Sequence, residues 1–190
     1  MALDNRGRSM SANFIATLST LVPATPSGSP FITGATLVGV ATDGDLYGLG
    51  FEFDVGSSNI TVTALGRWKV SGDSKIHFAS ITNASGVDIT GANVSIDMSN
   101  SADADGYVYA ALSAPVTLTA SSTYAMLVAQ NASFVDQFYH ENTAVTYTGD
   151  ASVRYSVYCG PNFAGGSRGT YGHAAGTSHS YGPVNFKYHL

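Results

Sequence analysis

Charge is what this sequence has least of. Asp, Glu, Lys and Arg together make up 11% of its 190 residues, where about 25% is usual. The surface must therefore be built mostly from Ser, Thr, Asn, Gly and Tyr. Lys and Arg number 8 against 13 Asp and Glu, for a net charge of −5, and no basic cluster is denser than Arg6 with Arg8. Neutralising phosphates takes several clustered cations, so nucleic acid is a poor partner. Cys159 is alone, which excludes an intrachain disulfide and a finger-type zinc site and leaves it as a small buried hydrophobe on a strand. Glutamate occurs only at Glu52 and Glu141; a glycosidase with paired carboxylates would have to recruit an aspartate. No uninterrupted apolar run approaches the ~20 residues of a membrane span. The opening MALDNRGRSM has no apolar run after its arginines, which sets the expectation that an ordinary signal peptide does not export the chain.

What is present is a two-residue period. In LGFEFDVGSSNITVTALGRWKV, Leu49, Phe51, Phe53 and Val55 alternate with Gly50, Glu52 and Asp54, as in a half-buried strand. Gly56 to Asn59 supply a turn, and Ile60, Val62 and Ala64 resume the period up to the single tryptophan, Trp68, which is expected in the core. This pair is expected to form the central hairpin. Further strands are expected at Phe31–Val40, followed by a turn in ATDGDLYG, then around Phe78, and over Val94–Met98 and Tyr107–Ala111. Pro115 should start a fresh segment with Val116 and Leu118. The near-continuous apolar run TYAMLVAQ fits a central strand covered on both faces. Val145 with Tyr147, Val153 with Tyr155 and Val157, and finally Val184, Phe186 and Tyr188 complete about nine strands. Such spacing predicts an all-β, antiparallel β-sandwich, jelly-roll-like, with no helix after Pro30.

Two regions stand outside this pattern. Residues 1–30 read as an N-terminal arm ahead of a sandwich domain at 31–190. Phe14, Ile15, Leu18, Leu21 and Val22 have helical spacings, but Pro23 and Pro26 end any regular structure, and the apolar side chains need a surface to cover. Cys159 to Gly182 is too rich in glycine for a strand and too poor in apolar residues for a core, and loops of this length tend to be functional or disordered. Phe163, Tyr171 and Tyr181 punctuate it. With Phe134, Phe138 and Tyr139 they place six aromatics in loop-like sequence, where they suit a sugar face or a protein interface.

Other motifs point to little chemistry. Asp103, Asp105 and Gly106 begin an EF-hand spacing, but Leu112 stands where a bidentate Glu is required, so a solvated turn is expected rather than a calcium site. Asp43 and Asp45 read the same way. The five histidines form no HxH or HExxH pair, and GGSRG lacks the Lys-Ser/Thr of a phosphate cradle. No GxSxG appears. No catalytic residue, metal or cofactor is assigned.

Three stretches together, YGLGFEFDVGSSNITVTALGRW, YVYAALSAPVTLTASSTYAMLVAQ, and AVTYTGDASVRYSV with a closing YGPVNF, resemble a β-sandwich family of uncharacterised function. That family is found in secreted and surface bacterial proteins, many with a C-terminal sorting signal read by exosortases. The resemblance covers about Leu46 to Tyr188 and implies a sandwich related to jelly-roll binding modules, with no catalytic residues to carry over. Against that family, the chain is expected to differ in having the arm and in lacking a signal peptide and a sorting helix. A bacteriophage could make such a protein from such a domain.

The expectation is thus a non-enzymatic structural protein of a virion, a decoration, cement or fibre-associated sandwich synthesised in the host cytoplasm. It would self-associate, most simply as a trimer, and dock on other virion proteins through Phe14, Ile15, Leu18, Phe163, Tyr171 and Tyr181. The alternative is a carbohydrate-binding or adhesion module at the cell surface or outside the cell.

Overall fold

Strands alternate their side chains between two faces, so a chain patterned in twos buries its apolar set only by stacking sheets. A computed structural model describes residues 25–43, 48–130, 136–160 and 172–190, and they contain no helix. The first strands are β1 (Ser29–Pro30), β2 (Ile32–Thr36), β3 (Val40–Asp43), β4 (Gly48–Val55) and β5 (Ile60–Trp68). Then come β6 (Ile76–Asn83), β7 (Asp88–Asp97), β8 (Tyr107–Leu118), β9 (Thr123–Ala129) and β10 (Asp136–Tyr139). The last are β11 (Thr143–Tyr147), β12 (Ala151–Cys159), β13 (Gly172–His173), β14 (His179–Ser180) and β15 (Val184–His189).

Every pairing is antiparallel. One sheet runs β13-β12-β4-β9-β6-β7 and a second runs β1-β15-β5-β8; β14-β11-β2 and β10-β3 form two smaller ones. The molecule is an antiparallel β-sandwich. Its core draws Phe51, Phe53, Ile81, Met126 and Val128 from the six-stranded sheet and Val62, Leu65, Leu118 and Phe186 from the four-stranded one. Phe31, fully buried, sits where they meet: its ring stacks on Phe186 at 4.7 Å and lies 5.9 Å from both Phe51 and Phe53. As expected, TYAMLVAQ forms a strand (β9) inside a sheet and covered on both faces, and Cys159 is buried, at the end of β12 beside Ala125, Leu127 and Val157. Trp68 packs against the core, edge-on to Tyr107 at 5.0 Å.

The structure corrects five expectations. β4 and β5 are not a hairpin, because β4 pairs with β9 and β12 while β5 pairs with β8 and β15. Gly56 to Asn59 arch from one sheet to the other, and so does Thr119 to Ser122 between β8 and β9. The arches tie each other: Ser121 N–H donates to the Gly56 carbonyl (2.8 Å), Val55 N–H to Ser122 (3.0 Å) and Ala120 N–H to Asn59 Oδ1 (2.8 Å). Secondly, β4 is buried on both faces rather than half-buried. The Glu52 side chain on its polar face is 8% exposed because Arg154 Nε (3.3 Å) and His173 Nε2 (3.7 Å) cover it.

Thirdly, Phe31–Val40 is not one strand. Leu37 to Gly39 interrupt it where Gly39 takes φ +50°, and Ala41 to Asp43, expected in a turn, continue β3 against β10. Fourthly, Pro115 lies inside β8, at an irregularity where Val62 faces Val116 while Ala64 faces Ala111. A proline cannot donate to a ladder and is tolerated at such a slip. Fifthly, the segment after Cys159 includes strands β13 and β14, and Cys159 itself ends β12. Of the arm, Ser29 and Pro30 pair with Tyr188 and Lys187 at the sheet edge, and Thr63 Oγ1 donates to the Ser27 carbonyl. Phe14, Ile15 and Leu18 lie outside the described residues.

One buried amide joins β2 to the four-stranded sheet. Asn185 on β15 is fully buried; its Oδ1 accepts from Ile32 N–H (2.8 Å) and Phe186 N–H (2.9 Å), and its Nδ2 donates to the Ile32 carbonyl (2.9 Å) and Tyr109 Oη (2.8 Å). Tyr109 Oη in turn donates a hydrogen bond to Asp105 Oδ2 at 2.7 Å.

Candidate functional site: an aromatic cleft

Beside β4, β9 and β12 lies a cleft of about 300 Å³, at the lower end of the range for small-ligand sites. Phe138, Tyr158 and Tyr181 supply aromatic surface, Leu49 and Ala174 aliphatic surface, and Gln130 and Glu141 the polar groups. These residues come from six stretches of chain, and the sheet register brings them together. Leu49 on β4 faces Tyr158 on β12 and Val128 on β9, two residues before Gln130. Tyr181 N–H donates to the Gly50 carbonyl (3.0 Å) and Gly182 N–H to the Tyr139 carbonyl (2.9 Å), which fastens the chain after β14 across the cleft's edge.

Two glycines make this close approach workable. Gly182 has φ +48°, a left-handed conformation that glycine adopts without strain, and it lies against Phe138, Leu49 and Gln130. At Gly172 a Cβ would come within 2.6 Å of the Tyr158 ring, so a larger residue on β13 would push aside the outer end of a tyrosine that is 43% exposed.

Behind the cleft is a buried polar cluster. The Arg67 guanidinium, 2% exposed, pairs with Asp73 Oδ2, donates to Gln130 Oε1 (3.3 Å) and donates to the Gln137 carbonyl (3.0 Å). One cation thus holds two cleft-lining stretches, at Gln130 and beside Phe138. His77 adds a second hold, with Nδ1 3.0 Å from the Ala129 carbonyl and Nε2 3.3 Å from Asp73 Oδ2. Burial pushes the Asp73 carboxyl up, but hydrogen bonds from His77 and the Lys75 N–H and the Arg67 charge outweigh it and hold the pKa well below the ordinary carboxylate range.

Gln130 is 1% exposed, and its Nε2 has no hydrogen-bond partner among the described residues. Arg67 has only donors to offer, so the amide must turn its oxygen to the guanidinium and its nitrogen away. Compared with known proteins, the chain matches no family model, no curated protein and no solved structure. The resemblance to surface β-sandwiches is carried by the three quoted stretches alone.

The residues marked by sequence fare differently. Tyr181 is at the cleft, half-buried with its ring 5.6 Å from Phe138 of the same chain. Phe138, expected in an exposed loop, is 4% exposed on β10, because β10 pairs with β3 and Tyr181 covers the ring. Phe163, Tyr171 and Phe134 lie outside the described residues. Asp103 and Asp105 do not converge: Asp103 Oδ2 takes Lys187 Nζ at 2.6 Å, while Asp105 caps Tyr107 N–H (3.2 Å) and accepts from Tyr109. Among the described residues no three His, Cys, Asp or Glu gather as a metal site. Gln130, Glu141, Tyr158 and Arg67 were not marked as site residues. The available signals were weak: Gln130 is the polar residue that ends the apolar run TYAMLVAQ, and Glu141 is one of only two glutamates.

Proposed function

We propose that this sandwich is a non-enzymatic binding and adhesion module that holds a carbohydrate in the cleft between Tyr158 and Tyr181. The observation that supports it most is the cleft's composition. Aromatic faces carry negative π-density on which the electron-poor C–H face of a sugar ring rests, and an amide and a carboxylate beside them can meet hydroxyl groups. Glu141 is the one carboxylate lining the cleft among the described residues, and glycoside hydrolysis takes two. A flat binding role fits that better than catalysis. The low surface charge and the arm favour display on a particle or cell surface, a virion structural protein in our reading, with self-association and arm docking as parts of it.

Glycan-array binding followed by calorimetry on the full chain tests the sugar reading. Tyr158→Ala and Tyr181→Ala should each weaken binding at least tenfold, Tyr158→Ala with little change in melting temperature. Binding that survives both substitutions, or no bound glycan at millimolar concentration, would overturn it. Co-sedimentation with phage particles tests the virion setting separately.

A further inference from the structure

We infer that the cleft selects an N-acetylated amino sugar, with Gln130 as the residue that sets the preference. The inference rests on the sugar reading above and adds the ligand's polar pattern. Gln130 is held on both sides: Arg67 fixes its Oε1 at 3.3 Å, and His77 lies 3.0 Å from the carbonyl of the preceding residue, Ala129. The amide cannot turn without setting its own N–H groups against a guanidinium. Its Nε2 therefore lies on the Gly182 side, where a Cβ would stand 3.8 Å from it. A buried donor left without an acceptor is destabilising, and a ligand that brings an acceptor removes that cost.

Glu141 presents the opposite polarity. Its Oε2 is 3.2 Å from His140 Nδ1, and its carboxylate as a whole offers only acceptors. One wall of the cleft thus donates and another accepts, with Phe138 and Leu49 supplying apolar surface beside them. An acetamido group has the matching set: a carbonyl oxygen for Gln130, an N–H for Glu141 and a methyl for the apolar surface. A bare hydroxyl in its place has a single oxygen to serve both polar groups and leaves the apolar surface uncovered. A carboxylated sugar would set its charge against Glu141.

The test compares the methyl glycosides of N-acetylglucosamine, glucosamine and glucose by calorimetry on the full chain. The N-acetyl compound should bind about tenfold tighter than glucose, as one to two added hydrogen bonds give. In Gln130→Leu that ratio should fall below about threefold. Equal binding of the three glycosides, tighter binding of glucosamine, or an undiminished N-acetyl preference in Gln130→Leu overturns this inference and leaves the sugar reading standing. Absence of binding by any of them, and by every arrayed glycan, overturns both. The glycoside series on the unaltered chain decides the preference even if the variant fails to fold.

Discussion

Two buried side-chain amides on the same molecule are treated in opposite ways. Asn185 is fully buried and meets four partners, two for its oxygen and two for its nitrogen. Gln130 is almost as buried, but among the described residues only its oxygen is matched. From Asn185 the bonds continue through Tyr109 to Asp105, and Lys187 nearby meets Asp103. Around Gln130 the fixed cluster of Arg67, Asp73 and His77 holds the amide still and, among the described residues, leaves one end of it without a partner. A saturated network serves the fold; an amide immobilised and half-matched at the edge of a cleft serves something outside the fold.

The largest effect is expected at Asn185. Asn185→Leu strands the buried N–H and carbonyl of Ile32, and at roughly 1–3 kcal/mol for each unmet group the loss should be about 4 kcal/mol by urea denaturation. A loss under about 1 kcal/mol would mean that β2 does not depend on this amide. Asp73→Asn comes next, at about 3 kcal/mol, because it leaves Arg67 buried without its counter-charge. The same residue sets an acid limb. A depressed carboxyl stabilises the fold above its unfolded pKa of about 4 and loses that contribution as pH falls toward the folded value. Stability should therefore be level above about pH 5 and decline below about pH 4, where the unfolded chain binds more protons. Asp73→Asn should flatten that decline, and chemical denaturation at stepped pH reads it directly.

Tyr109→Phe should cost less, about 1.5 kcal/mol, since it removes a donor to Asp105 and an acceptor for Asn185 but leaves the ring in place. The smallest effect is expected at Gln130→Leu. Arg67 keeps Asp73 and the Gln137 carbonyl, so melting should report less than about 1 kcal/mol. That gap between Gln130→Leu and Asn185→Leu is what separates an amide kept for binding from one kept for structure.

Strands were readable from the chain and their partners were not. A two-residue period marks Leu49–Val55 and Ile60–Trp68 as extended, but it carries no information on whether the turn between them folds back or arches over. Here the Gly56 arch is fixed by hydrogen bonds to Ser121, and the chain offers no local sign of a contact so far along it. The polar face of β4 misled for a related reason, because Glu52 is covered by Arg154 and His173 from distant stretches. The cleft was less legible still. Tyr181 and Phe138 stood out as aromatics in loop-like sequence, yet Gln130 and Tyr158 are ordinary residues at the ends of ordinary strands. Only the register of β9, β4 and β12 puts them side by side.

Strand β15 lies between β1 and β5, the inner place in its sheet, and brings Phe186 onto Phe31. The four-stranded sheet therefore cannot form until synthesis has passed residue 189. Until then β5 shows an open edge, Phe31 lacks its stacking partner, and neither arch has a finished pair of sheets to join. Such a topology forms through contacts far apart in sequence, which makes folding slow and late. During that interval the growing chain carries an unpaired strand that can zip onto another copy, so the yield of soluble protein should depend on how many unfinished chains a cell holds at once.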